Sequence, residues 1–172
     1  NRMGPKKIIS AIHDGVENIT LVCVACASAG IALSSVSLTG IGQKLVSLVL
    51  AFAGNTPLFA LFLVMLVSLV LGMGLPTTGA YILASALGVP ILAKLGYPLI
   101  SAHMFVFYFA IISNITPPVA LAAYAASSIA GSEPNQTGFT ACRLGFLAFV
   151  VPFAFCYDPG ILLQLDLIGN LM

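Results

Sequence analysis

Charge is what this sequence has least of. Its 172 residues include five Asp or Glu, six Lys or Arg and no Trp. Charged residues make up 6% and hydrophobic residues 60%, with a mean hydropathy of +1.12. A soluble domain carries about 25% charged residues. So few charges cannot cover a water-facing surface, so most of this chain faces lipid or other buried helices. A net charge of +1 gives no basis for a nucleic-acid partner. No signal peptide is legible, because Pro5, Lys6 and Lys7 lead into no short apolar core with a small-residue cleavage site. The chain begins at Asn1 and reads as a piece of a longer protein.

Several chemistries are missing too. No H-E-x-x-H is present, no Asp pair lies in an apolar run, and neither Ser101 nor Ser113 is framed by Gly-x-Ser-x-Gly. An intramembrane enzyme therefore has no catalytic residues to name. Cys23 and Cys26 form a C-x-x-C inside the apolar run 19–38, where they read as small apolar filler; no His partners them at zinc spacing. His13 reads as a surface residue. His103 follows Ser101 and Ala102 at the start of its helix and reads as an interfacial or packing histidine. It is the one candidate for a proton relay, which normally needs Asp, Glu or His at membrane depth.

What is there is long and apolar. No Asp, Glu, Lys or Arg lies between Glu17 and Lys44, between Lys44 and Lys94, or between Lys94 and Glu133. With roughly 20 residues to a span, the chain holds about four or five membrane-embedded segments. Residues 5–18 predict a short amphipathic helix with Ile8, Ile12, Val16 and Ile19 at helical spacing, lying in the interface or in a cytoplasmic loop. Residues 19–38 predict the first span, with a small-residue face (Ala25, Ala27, Ser28, Ala29, Gly30, Ala32) suited to close helix packing. Residues 44–53 predict a short helix ending at Gly54-Asn55-Thr56-Pro57. Further helices are predicted over 58–71, 80–93 (kinked or shortened at Pro90), 100–113 and 119–130. A polar loop is expected over 131–138, then a last span over 139–157 kinked at Pro152, and an interfacial tail carrying Asp166.

Function is written in two breaks, at Gly72–Gly79 and Asn114–Pro118. About 14 residues of helix reach roughly 21 Å, short of the roughly 30 Å hydrocarbon core. The flanking pieces are therefore too short to span alone, and the breaks sit at membrane depth. A helix end leaves four backbone groups without intrahelical partners. In hydrocarbon such groups are tolerated only where they are buried in protein or line a polar cavity. Gly72, Gly74 and Gly79 permit unusual dihedrals; Pro76, Pro117 and Pro118 stop the helix re-forming. Thr77, Thr78, Asn114 and Thr116 add neutral oxygens. Neutral oxygens with free carbonyls suit a hard cation such as sodium, and discontinuous helices build the sites of secondary transporters. Half-helix N-termini, at about Thr78–Ala80 and Pro118–Val119, can face a substrate carboxylate. A structural or assembly subunit is the alternative, and it leaves both breaks unexplained; an intramembrane enzyme, with a serine near His103, is the more distant one.

Gly72-Met-Gly-Leu-Pro-Thr-Thr-Gly-Ala-Tyr-Ile82, His103-Met-Phe-Val-Phe-Tyr-Phe109 and Ile115-Thr-Pro-Pro-Val-Ala-Leu121 resemble the large membrane subunit of TRAP (tripartite ATP-independent periplasmic) transporters. The similarity is to the fused, DctM-like permeases that work with TAXI-type binding proteins. Pro152-Phe153 and Tyr157-Asp158-Pro159 fit the same pattern. The resemblance implies an all-α integral membrane fold of elevator type, built from two inverted repeats. This chain would be the C-terminal repeat, with 58–93 as a re-entrant helical hairpin and 101–130 as a broken transmembrane helix. It implies sodium-coupled uptake of a small organic acid, a dicarboxylate or 2-oxo acid, across the inner membrane of a bacterium or archaeon. The partners implied are a periplasmic substrate-binding protein, a small membrane subunit (separate or fused) and the N-terminal repeat. Carried over residue by residue, the sodium site is Gly72, Gly74, Thr77, Thr78, Asn114, Thr116 and Pro117, and the substrate-facing candidates are Thr78, Gly79 and Pro118. No other metal or cofactor is implied. By the positive-inside rule Arg2, Lys6 and Lys7 are cytoplasmic, Lys44 and Lys94 outside, Glu133 and Arg143 inside, and the last span ends outside.

Overall fold

The computed structural model describes residues 4–54 and 56–162. Asn55 and the tail with Asp166 lie outside them. Among the described residues the fold is all-helical: α1 (Pro5–Thr39), α2 (Ile41–Ala53), α3 (Pro57–Gly72), α4 (Thr77–Lys94), α5 (Leu99–Ile112), α6 (Leu121–Ala130), α7 (Pro134–Leu144), α8 (Phe146–Tyr157) and a 3₁₀ turn at Pro159–Leu162.

The predicted amphipathic helix and first span are one element. α1 runs for 35 residues, because no proline follows Pro5 within it and single glycines do not end a helix. At its end the segment Cys26–Val36 meets α2 at 73°, around Gly40 with φ of 67°. The small-residue face is only partly used: Ala29 is buried, whereas Ala27, Ser28 and Ala32 are exposed.

The core lies where α3, α4 and α5 pack together. Phe105, Phe109, Leu61, Ile91 and Leu92 are fully buried there. Phe153 of α8 closes the cluster, with its ring 5.3 Å from Phe105 and 6.0 Å from Phe109, both edge-on. Gly88 permits a tight crossing of α4 with α5 and α3. A Cβ on it would lie 2.7 Å from Val106 Cγ2, 3.2 Å from Val64 Cγ1 and 3.5 Å from Ser68 Oγ. Gly88 of α4 meets Val64 of α3 across the turn at 73–76, so α4 folds back along α3 as a hairpin.

α4 is longer than the sequence suggested, because it starts at Thr77 and runs through Pro90 to Lys94. A proline removes one backbone hydrogen bond from a helix, and in α4 the helix absorbs that loss. Among the described residues α4 is the single helix long and apolar enough to cross a membrane unaided; up to three spans result if each bent pair is one. Three shorter apolar helices, α3, α5 and α6, stand beside these. α3 and α5, with 16 and 14 residues, are short, as the spacing of the breaks predicts.

Two further corrections fall near the C-terminus. The polar loop 131–138 shortens to Gly131–Glu133, because Glu133 caps α7: its carboxylate accepts from Asn135 N at 3.1 Å and Gln136 N at 2.6 Å. Pro134 then takes the first helical position, where its missing N–H costs nothing. The last predicted span breaks not at Pro152, which α8 accommodates, but at Gly145, where α7 and α8 bend by 43°. A Cβ on Gly145 would approach Ile115 Cδ1 to 2.9 Å. Glu133→Ala is expected to cost about 1 kcal/mol, the usual worth of a cap. It would be measured as a lower Tm of the purified permease, with the uptake rate unchanged.

Candidate functional site

The first break is a tight reversal. α3 ends at Gly72, and two hydrogen bonds hold the turn, Met73 N to the Val70 carbonyl at 3.3 Å and Leu75 N to the Gly72 carbonyl at 3.4 Å. Gly74 has φ of 76°, a left-handed conformation that a side chain would strain. Pro76 precedes the first residue of α4. Thr77 and Thr78 follow it with exposed side chains, and Gly79 is buried. The α4 N-terminus thus opens at Thr77, one residue before the predicted point.

The second break unwinds in stages. After Ile112 the chain tightens into 3₁₀-type bonds: Asn114 N to Ile111 O at 3.0 Å, Ile115 N to Ile112 O at 3.0 Å and Thr116 N to Ser113 O at 3.2 Å. The Pro117–Pro118 peptide is cis. α6 begins at Leu121, two or three residues beyond the predicted start at Pro118–Val119, because neither proline N can donate and the chain must first turn. Ala122 N reaches back to the Asn114 carbonyl at 3.0 Å, so one end of the break satisfies a donor at the other.

The two breaks meet. A Cβ on Gly72 would lie 2.5 Å from Ser113 Oγ and 2.9 Å from the Ala110 carbonyl, and one on Gly74 would lie 3.7 Å from Val119 Cγ1. Ser113 is fully buried at this contact, its hydroxyl donating to the Ala110 carbonyl at 2.6 Å. Ser113 and Ala110 were not legible as part of the site, whereas Val119 was expected there only as part of a half-helix N-terminus. The signal was slight: a small polar residue directly before Asn114, opposite a glycine-ended helix.

The predicted oxygens divide. Asn114 donates its amide to the Ile111 carbonyl at 3.2 Å, which leaves its side-chain oxygen to accept. Thr116 donates to the Ile112 carbonyl at 2.8 Å, so its oxygen keeps acceptor capacity. The Pro118 carbonyl accepts from Tyr124 Oη at 2.7 Å, and that hydroxyl also lies 3.1 Å from Asn135 Oδ1. Pro117 packs towards α7, where a Cβ on Gly138 would lie 3.4 Å from its Cγ. The hairpin tip therefore brings Gly72 and Gly74 against the second break, while the exposed Thr77 and Thr78 open α4 directly after the tip. This assembly carries neutral oxygens, backbone dipoles and no formal charge. Neutral oxygens and backbone dipoles of this kind are chemically suited to a hard cation or to a carboxylate.

The sequence model of the tripartite ATP-independent periplasmic transporter DctM component matches residues 1–167. No curated protein and no solved structure gives a match. Matched over nearly its whole length, and with its two breaks apposed, this chain belongs to the DctM family of TRAP transporter membrane components.

Proposed function

We propose that this chain forms the cation-coupling half of a permease that carries a small organic acid, of dicarboxylate or 2-oxo-acid type, into the cell with sodium. The observation that carries the reading is the contact of the two uncharged breaks, Gly72 and Gly74 against Ala110, Ser113 and Val119. Each break alone is a costly irregularity in an apolar helix. Together they bring backbone dipoles of both breaks into contact, on two segments that also carry the oxygens of Thr77, Thr78, Asn114 and Thr116. Sodium held by these oxygens and by carbonyls of Gly72, Gly74 and Pro117 would bridge the hairpin to the second break. Thr78, Gly79 and Pro118 would then face the substrate.

DctM components belong to a secondary transport family, and in TRAP systems they work with a periplasmic binding protein and a small membrane subunit. On our reading the binding protein is of the TAXI type, and the small subunit is fused or separate. An N-terminal repeat completes an elevator in the inner membrane, with 58–93 as its re-entrant hairpin and 101–130 as its broken helix. The exposed stripe Leu58, Phe59, Phe62, Leu66 and Val70 on α3 suits lipid or that repeat.

The full-length permease, reconstituted in liposomes with its binding protein, tests the reading. Uptake of labelled dicarboxylates and 2-oxo acids is expected to require both the binding protein and an inward sodium gradient. Each net charge crossing 100 mV is worth about 2.3 kcal/mol, roughly a fiftyfold accumulation. Uptake that ignores sodium and follows a proton gradient instead would remove the coupling role from the two breaks.

A further inference from the structure

We propose that the hydrogen bond between Tyr81 and His103 is a latch that sets how closely the α3–α4 hairpin seats on α5, making both side chains positioning residues for cation binding. This inference rests on the reading that the hairpin tip and the second break share the coupling cation.

Tyr81 Oη lies 2.7 Å from His103 Nδ1, and both side chains are partly buried. The Tyr81 ring also meets the Phe107 ring edge-on at 5.4 Å and the His103 ring at 6.1 Å. His103 and Phe107 are one turn apart on α5, so they present one face, and the tyrosine ring stands between them. A side chain caged in this way holds its helix in register along the neighbour as well as against it.

Position gives the bond its consequence. Tyr81 follows Thr77 by four residues and therefore lies on the same face of α4, one turn from the tip. On the other limb of the hairpin, Gly72 seats on Ala110 and Ser113. The ten residues from His103 to Ser113 span about 15 Å of helix. α5 thus grips the hairpin at two places, on either side of the tip. One grip is backbone close packing, which shape alone maintains. The other is a directional bond between two side chains, and it is lost when either partner loses its polar atom. Without it α4 can slide or tilt, and the hairpin tip that Thr77 and Thr78 follow shifts on the second break.

The test is a double-mutant cycle in the full permease with its binding protein, read as the half-saturating sodium concentration and the maximal uptake rate. Tyr81→Phe removes one oxygen and keeps the caged ring. His103→Leu removes the ring nitrogens. Each is expected to raise half-saturating sodium about three- to tenfold, the usual weight of one buried hydrogen bond, with little change in the maximal rate. The double variant should match the singles, because either change breaks the same bond. His103→Asn, whose amide oxygen falls near the place of Nδ1, should recover wild-type behaviour. Unchanged sodium dependence in Tyr81→Phe, multiplying effects in the double variant, or an Asn variant no better than Leu would each overturn the latch. Should wild-type uptake prove indifferent to sodium, the sodium reading fails on its own. The same cycle is then read on the ion that does drive uptake, where matching effects uphold the latch and multiplying effects reject it.

Discussion

Gly72→Ala is expected to lower the initial uptake rate of the full permease roughly 30-fold or more, the kinetic equivalent of about 2 kcal/mol. The added methyl would lie 2.5 Å from Ser113 Oγ, 2.9 Å from the Ala110 carbonyl and 3.1 Å from Ser113 Cβ. Two of these neighbours have little room to move. The Ala110 oxygen is backbone, and the Ser113 hydroxyl is held on that same oxygen at 2.6 Å in a fully buried position. Helix propensity runs the other way, because Ala is favoured over Gly inside a helix by up to about 1 kcal/mol. The steric term wins here since close packing transmits it directly to the contact between the breaks. Gly15→Ala supplies the contrast. It lies inside α1 with nothing within 4 Å of its added Cβ, so it should leave uptake unchanged and hold or raise Tm. Uptake and Tm are measured together in purified, reconstituted protein. Wild-type values for Gly72→Ala would show that the two breaks do not need this approach.

The contrast between these glycines explains what the sequence could reveal. Proline, glycine and threonine clustered in uncharged runs locate breaks, because the reasons are local: a missing N–H, a permitted left-handed φ, an oxygen with no charge. Both breaks were legible for that cause, and Gly74 with its φ of 76° is an instance. That Gly72 sits on Ser113 is a fact about two segments some 40 residues apart, and no spacing encodes it. Errors of the sequence reading also have local causes. Hydropathy divided α1 at residue 18, where composition changes from amphipathic to apolar, yet no breaker stands there to stop the helix. Pro152 drew attention from Gly145, which permits the actual bend because the space beside it is filled by Ile115. Glu133 was read as loop because its role as a cap depends on the two N–H groups it accepts from, not on its polarity. The exposed apolar stripe on α3 was legible as hydrophobic. Which surface covers it depends on lipid or on protein outside this chain.

Replacing the side-chain oxygens at both breaks should have the largest effect on coupling. Thr77→Val with Asn114→Leu is expected to abolish sodium-dependent uptake, a loss of about 100-fold or more, while leaving the fold intact. The exposed Thr77 side chain changes little in size on becoming Val, and it opens a helix that Pro76 already starts. Asn114 loses one side-chain bond, its amide to the Ile111 carbonyl at 3.2 Å, but keeps the backbone bond from Ala122 N to its own carbonyl at 3.0 Å. The break therefore retains its backbone geometry. What disappears is two neutral oxygens from a site with no carboxylate to compensate. A cation stripped of water needs about six or more oxygen ligands. Removing an interaction with a charged group costs about 1.5–3 kcal/mol apiece, so losing two reaches the stated range if the effects add. The single variants divide the outcome. Each alone should raise half-saturating sodium about tenfold or more, and the double variant should be worse than either, because each side chain would supply its own oxygen to the ion. A double variant worse than either single is the reverse of the behaviour expected for Tyr81 and His103, where either change breaks one shared bond. Full sodium-driven uptake by the double variant would leave the breaks without a coupling role and favour a structural one.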